Sequence, residues 1–114
     1  MLKIELKFKE RVLKHIETDK SEITIGRGSN CDIQIDNLAV SNTHAKIIKQ
    51  QGGYRIEDLK STNGTFLNDL SIQNANLGPN DIVTIGKHTL QIKSMDETRP
   101  AVEDLADKTV KVSG

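Results

Sequence analysis

Three short polar clusters carry the residues whose types and spacing suit chemistry. Gly26-Arg27-Gly28 follows the apolar run Ile23-Thr24-Ile25. Two glycines bracketing an arginine let the chain turn sharply and leave a guanidinium at a strand's end. Ser41-Asn42-Thr43-His44 stands just before Ala45-Lys46-Ile47-Ile48, and Ser61-Thr62-Asn63-Gly64-Thr65 contains Asn-Gly. Asn-Gly favours positive φ and therefore a tight turn. Arginine's planar fork donates parallel charge-assisted bonds to phosphate oxygens, and a serine hydroxyl and turn amides supply further donors. An asparagine carboxamide donates and accepts together, which suits the main chain of an extended ligand. The set as a whole fits a phosphorylated side chain on an extended peptide.

Each residue also has a plainer reading. An isolated arginine at a strand end is ordinarily a solvated charge. The hydroxyls of Ser41 and Thr62 satisfy backbone groups in turns as readily as they bind a ligand, and Asn63-Gly64 is a turn in either case. Only the three clusters taken together favour an anion site.

Binding clusters need a rigid frame, and apolar residues at alternate positions supply it. Leu2, Ile4, Leu6 and Phe8 alternate, as do Ile23 and Ile25, Ile33 and Ile35, Ala45 and Ile47, Tyr54 and Ile56, Val83 and Ile85, and Leu90 and Ile92. Half-buried strands produce that period. Turn signals separate them at Gly28-Ser29-Asn30, Gln51-Gly52-Gly53, Ser61-Thr62-Asn63-Gly64, Gly78-Pro79-Asn80-Asp81 and Gly86-Lys87. Many short strands so punctuated predict an all-β antiparallel sandwich or barrel with the polar clusters in its loops. No window of residues 1–93 holds a helical period over three turns.

The 114 residues suffice for one domain with a modest core. Sixteen Lys+Arg balance sixteen Asp+Glu, so there is no global field to draw the chain to nucleic acid or an acidic membrane, and any anion must be recognised locally. The N-terminal segment interleaves charged and apolar residues, as a strand does and a signal peptide does not. No apolar run approaches the ~18 residues of a bilayer span. A single cysteine, Cys31, and three scattered histidines leave no intrachain disulfide and no zinc-ligand spacing. A reducing cytoplasm is the expected location, with neither a metal nor a cofactor. Cys31, with no basic neighbour nearer in sequence than Arg27, reads as a packing residue, and His15 and His88 as strand-face residues. No nucleotide-cradling Gly-Lys-Ser/Thr loop and no paired nucleophile and base are present, so the reading is not an enzyme. His44 has no companion at triad spacing and reads as structural.

The order Gly26-Arg27, Ser41-x-x-His44 and Ser61-Thr62-Asn63-Gly64-Thr65, with Asn68 three residues on, resembles the forkhead-associated (FHA) domain family over roughly residues 1–93. The resemblance implies a β-sandwich of about eleven strands that binds phosphothreonine peptides through loops at one end. It implies that Arg27, Ser41 and Thr62 contact the phosphate and that Asn42 and Asn63 hold the peptide backbone. His44, Gly26, Gly64 and Asn68 would organise the loops, and the family's preference for threonine over serine is carried over with them. The residue two before the motif serine helps to read the third peptide residue after the phosphothreonine. Here it is Ala39, which offers no charge to an acidic residue and predicts an apolar or undemanding one.

The expected partner is therefore a phosphothreonine protein made by a Ser/Thr kinase. The alternative is an assembly module that keeps the scaffold and binds an unphosphorylated partner. Residues 94–114 lose the alternation and read as a polar, disordered tail or linker, with at most a marginal helix over 101–110. Thr98 and Thr109 lie in it, and their phosphorylation would offer a route to self-association in trans.

Overall fold

The alternating apolar residues form strands that bury one face each, with a hydrophobic layer between two sheets. The computed structural model describes residues 1–95. Eleven strands run in chain order: β1 (Leu2–Phe8), β2 (Arg11–Thr18), β3 (Glu22–Gly26), β4 (Ile33–Gln34), β5 (Ala45–Gln50), β6 (Gly53–Asp58), β7 (Thr65–Leu67), β8 (Leu70–Ile72), β9 (Asn74–Leu77), β10 (Ile82–Ile85) and β11 (His88–Met95). One sheet has six strands in the order β2-β1-β11-β10-β7-β8, the other five in the order β4-β3-β5-β6-β9. The β3–β4 pair is parallel, and the other neighbouring strands pair antiparallel. The expected eleven-stranded sandwich is thus the fold.

Ile4, Leu6, Val83, Ile85, Leu90 and Ile92 from one sheet meet Ile23, Ile25, Ile47 and Ile56 from the other, all at 3% exposure or less. A side chain so enclosed contributes about 1.5–3 kcal/mol relative to exposure. β11 continues through Ser94 and Met95, two residues beyond the boundary expected at Lys93, because Leu2 and Lys3 pair with them. The tail segment carrying Thr98 and Thr109 lies outside the described residues.

The hairpin of β1 and β2 turns on Lys9 and Glu10, both at positive φ (50° and 67°). β2 lies at the sheet edge with most of its residues exposed. Its Lys14 pairs with Leu6, so a charge occupies the core-facing row of an edge strand, a device that discourages further strand pairing.

Register decides which loops meet. Ala45 pairs with Ile25 on one side and Asp58 on the other. The loops after β3, before β5 and after β6 therefore leave the sandwich at the same end. Ile85 pairs with Thr65, which brings the Gly86-Lys87 turn to that end as well.

Candidate functional site

The first loop is strapped to the second by backbone bonds that extend the β3–β5 ladder. Arg27 N–H donates to the Ser41 carbonyl and Gly28 N–H to that of Asn42, each at 3.0 Å, and His44 N–H donates to Ile25 at 2.8 Å. Gly26 permits this approach, because a Cβ there would lie 2.3 Å from the Asn42 carbonyl oxygen. Arg27 therefore starts in register with Ser41. Its side chain is half-buried, and its Nε is enclosed without a hydrogen-bond partner. Among the described residues, no carboxylate forms an ion pair with it.

The second and third loops are joined through Ser41 and His44. Ser41 Oγ accepts a bond from Thr62 N–H at 3.0 Å, which leaves the hydroxyl proton free to donate elsewhere. The Ser41 N–H donates to His44 Nδ1 at 3.1 Å. Since Nδ1 accepts, Nε2 carries the proton and donates to the Gly64 carbonyl at 2.8 Å. His44 is fully buried. The imidazole is thus a neutral strut between two loops.

Asp58, which sequence reasoning missed, organises the third loop from beneath. Its carboxylate accepts bonds from Ser61 N–H at 3.1 Å, from the Ser61 hydroxyl, and from Thr65 Oγ1 at 2.7 Å. Ser61 Oγ in turn accepts from Gly64 N–H at 3.0 Å. Partial burial opposes ionisation of Asp58, but the bonds from Ser61 and Thr65 outweigh it. Its pKa falls below the usual 3.8. The signal was an aspartate three residues ahead of a turn serine, a common side-chain-to-backbone spacing.

Asn63 and Asn42 are both exposed, as ligand contacts must be. Asn63 also braces the site, since its Nδ2 donates to the Ala39 carbonyl at 2.7 Å and fixes the specificity candidate against the third loop. Asn42 Oδ1 lies beside Gly28, where an added Cβ would meet it at 3.0 Å. Ala39 is half-buried, and next to it Leu38 is 89% exposed, a large apolar residue at the rim of the site that the alternation pattern did not single out.

Asn68 organises the turn at the other end of β7, and two further residues, His88 and Cys31, differ from expectation. At positive φ in the β7–β8 hairpin, it donates to Asp81 and accepts from Ile82 N–H, each at 3.0 Å. His88 is buried at 9% exposure with its ring 4.8 Å from that of Phe8, instead of lying on an open strand face, because its pairing with Phe8 and Ile85 places it on the core side. Cys31 is only half-buried, and its Sγ donates to the Asn42 carbonyl at 3.3 Å, so it helps to hold the first loop.

The chain is similar to known proteins. A family profile described as FHA domain matches residues 23–86. The chain is 39% identical over 70 residues to the ABC transporter ATP-binding/permease protein Rv1747 of Mycobacterium tuberculosis, covering 61% of this chain and 8% of that protein. It is 36% identical over 72 residues to the oxoglutarate dehydrogenase inhibitor of Corynebacterium diphtheriae, covering 63% of this chain and 50% of that one. The chain thus spans half or less of the length of these relatives. Among solved structures, Mycobacterium tuberculosis EmbR in complex with a low affinity phosphopeptide superposes with a TM-score of 0.73 at 25% identity, covering 86% of this chain and 26% of that one. The profile spans the segment that holds Arg27, Ser41, His44 and Thr62, more than half of the chain, and the chain belongs to the FHA-domain family.

Proposed function

We propose that the chain is a phosphothreonine-dependent recognition module that captures an extended peptide of a Ser/Thr-kinase substrate in its loops. The observation that carries this reading is the junction at Ser41. Its carbonyl is bound by Arg27 N–H and its hydroxyl by Thr62 N–H, each at 3.0 Å, so residues of the first and third loops converge on one serine of the second.

In this mechanism the Arg27 fork takes phosphate oxygens in paired charge-assisted bonds, while the Ser41 hydroxyl donates its free proton and Thr62 adds a contact. The dianion is the species held, and a second pKa of ~6 makes capture weaken in acid. Asn42 and the Oδ1 of Asn63 hold the peptide main chain. Ala39, uncharged and close to the Gly86 turn, meets the third residue after the phosphothreonine and favours an apolar or undemanding one. A pocket of fixed donors supports binding without chemical turnover, and a cytoplasmic setting would supply kinase and partner.

Titration of a fluorescent phosphothreonine peptide beside its phosphoserine and unphosphorylated forms tests the proposal. The expected order is phosphothreonine first, phosphoserine weaker and the unphosphorylated peptide unbound. Equal binding of the unphosphorylated peptide would overturn it and favour the assembly-module alternative.

A further inference from the structure

The outer face of the six-stranded sheet carries a groove apart from the loop site. A groove of about 550 Å³ is bounded there by Lys7, Lys9 and Lys87 over a floor of Ile82, Thr89 and Gln91. Strand register makes the floor continuous: Lys7 pairs with Thr89 and Thr89 with Thr84, while Ile82 pairs with Gln91. Ile82 is 39% exposed, so the floor offers apolar contact as well as hydroxyl and amide groups.

Charge marks the occupant. Lys9 is exposed and sits 5.5 Å above the Phe8 ring, and Lys87 forms no ion pair among the described residues. Lys7 is steadied by Gln91 Oε1 at 2.9 Å and Glu5 at 3.6 Å. Glu10 at the margin and Glu5 beside Lys7 offset part of this charge, yet Lys9 and Lys87 face solvent in a chain whose formal net charge is zero. The groove also begins where the loop site ends. Lys87 follows Gly86, on which a Cβ would touch Ala39 Cβ and Val40 Cγ2, each at 3.5 Å.

We infer that this groove docks an acidic stretch of the same partner chain that carries the phosphothreonine, a second contact beyond the phosphate pocket. The inference rests on the phosphopeptide reading above. Two linked contacts raise affinity by making the second association intramolecular, and the acidic one is screened by salt.

The test compares a short phosphothreonine peptide with the same peptide joined through a Gly-Ser linker to a run of glutamates, placed on either side. Both are titrated against the wild-type chain and the Lys7→Ser/Lys9→Ser/Lys87→Ser variant at low and high salt. The glutamate run on one side should improve wild-type affinity about fivefold or more at low salt, the scale of three exposed ion pairs. That gain should vanish in the variant and at high salt, while the short peptide binds both proteins alike. No gain on either side, or a gain that survives the lysine changes, overturns the inference and leaves the phosphate site standing. Failure of the short peptide sinks the phosphopeptide reading instead. An unphosphorylated glutamate peptide followed by amide NMR then decides the groove alone: shifts at Thr89 and Gln91 support it, and their absence overturns it. Sedimentation with phosphatidylserine vesicles that needs the same lysines, with no response to the glutamate run, also overturns it.

Discussion

The Nε2 of His44 lies 2.8 Å from the carbonyl oxygen of Gly64, twenty residues away, and through that bond a buried neutral imidazole holds two binding loops at a fixed separation. An apolar side chain in its place could bind neither loop.

Replacing His44 by alanine leaves the Ser41 N–H and the Gly64 carbonyl without their partner and opens a cavity. The loss of stability should be about 2–4 kcal/mol, combining an unsatisfied buried group with large-to-small truncation. Urea unfolding checks this. Binding should fall as well, since Ser41 and Thr62 would no longer be held in register.

Gly26→Ala should be damaging out of proportion to one methyl. The new Cβ would stand 2.3 Å from the Asn42 carbonyl oxygen, which belongs to backbone and cannot swing aside. Separation of the first two loops should cost about 1–3 kcal/mol of stability, the usual scale of overpacking, together with most of the affinity for a phosphopeptide. Thermal unfolding and peptide titration measure the two effects.

Asp58 gives the site an acid limit. Its folded pKa lies below the usual 3.8, so its stabilising effect is complete above the unfolded value and is lost as pH falls through the folded one. Amide NMR signals of Ser61, Gly64 and Thr65 should move together in that range. In Asp58→Asn they should not.

His88 contributes a second pH dependence in a milder range. Burial holds its pKa below the usual 6.5. A base kept neutral in the folded state stabilises above its unfolded pKa, and that contribution is lost as pH falls from about 6.5 through the folded value. Stability in urea should therefore decline on mild acidification in the wild type and decline less in His88→Phe, which keeps the packing against Phe8.

Much of this was legible in the chain because inward-facing Ile and Leu at every second position can mean little other than half-buried strands. Ile23 and Ile25, or Leu90 and Ile92, announced their strands unaided. Of β2 only the strand-face placement of His15 was legible: its residues lie mostly exposed at an edge, so no apolar alternation was required of them, and its turn uses Lys9-Glu10 where Asn-Gly would have signalled a hairpin. β7, β8 and β9 bury Leu77 alone among their apolar residues and so show no alternating core face.

At the site, Arg27, Ser41, His44 and Thr62 stood out by type and order. Asp58 did not, because an aspartate that ends a strand looks like any solvated charge until Ser61 and Thr65 fold over it. Asn68 looked like part of the same motif in sequence, but a three-residue strand carries it to the opposite end of the sheet.

The central claim is that Arg27 grips a phosphate beside Ser41 and Thr62, and calorimetric titration of a phosphothreonine peptide against wild type and Arg27→Ala tests it most directly. The variant should stay folded and lose about 1.5–3 kcal/mol of binding, about tenfold or more in affinity, as expected for a hydrogen bond to a charged group. Equal affinity in the two proteins would contradict it.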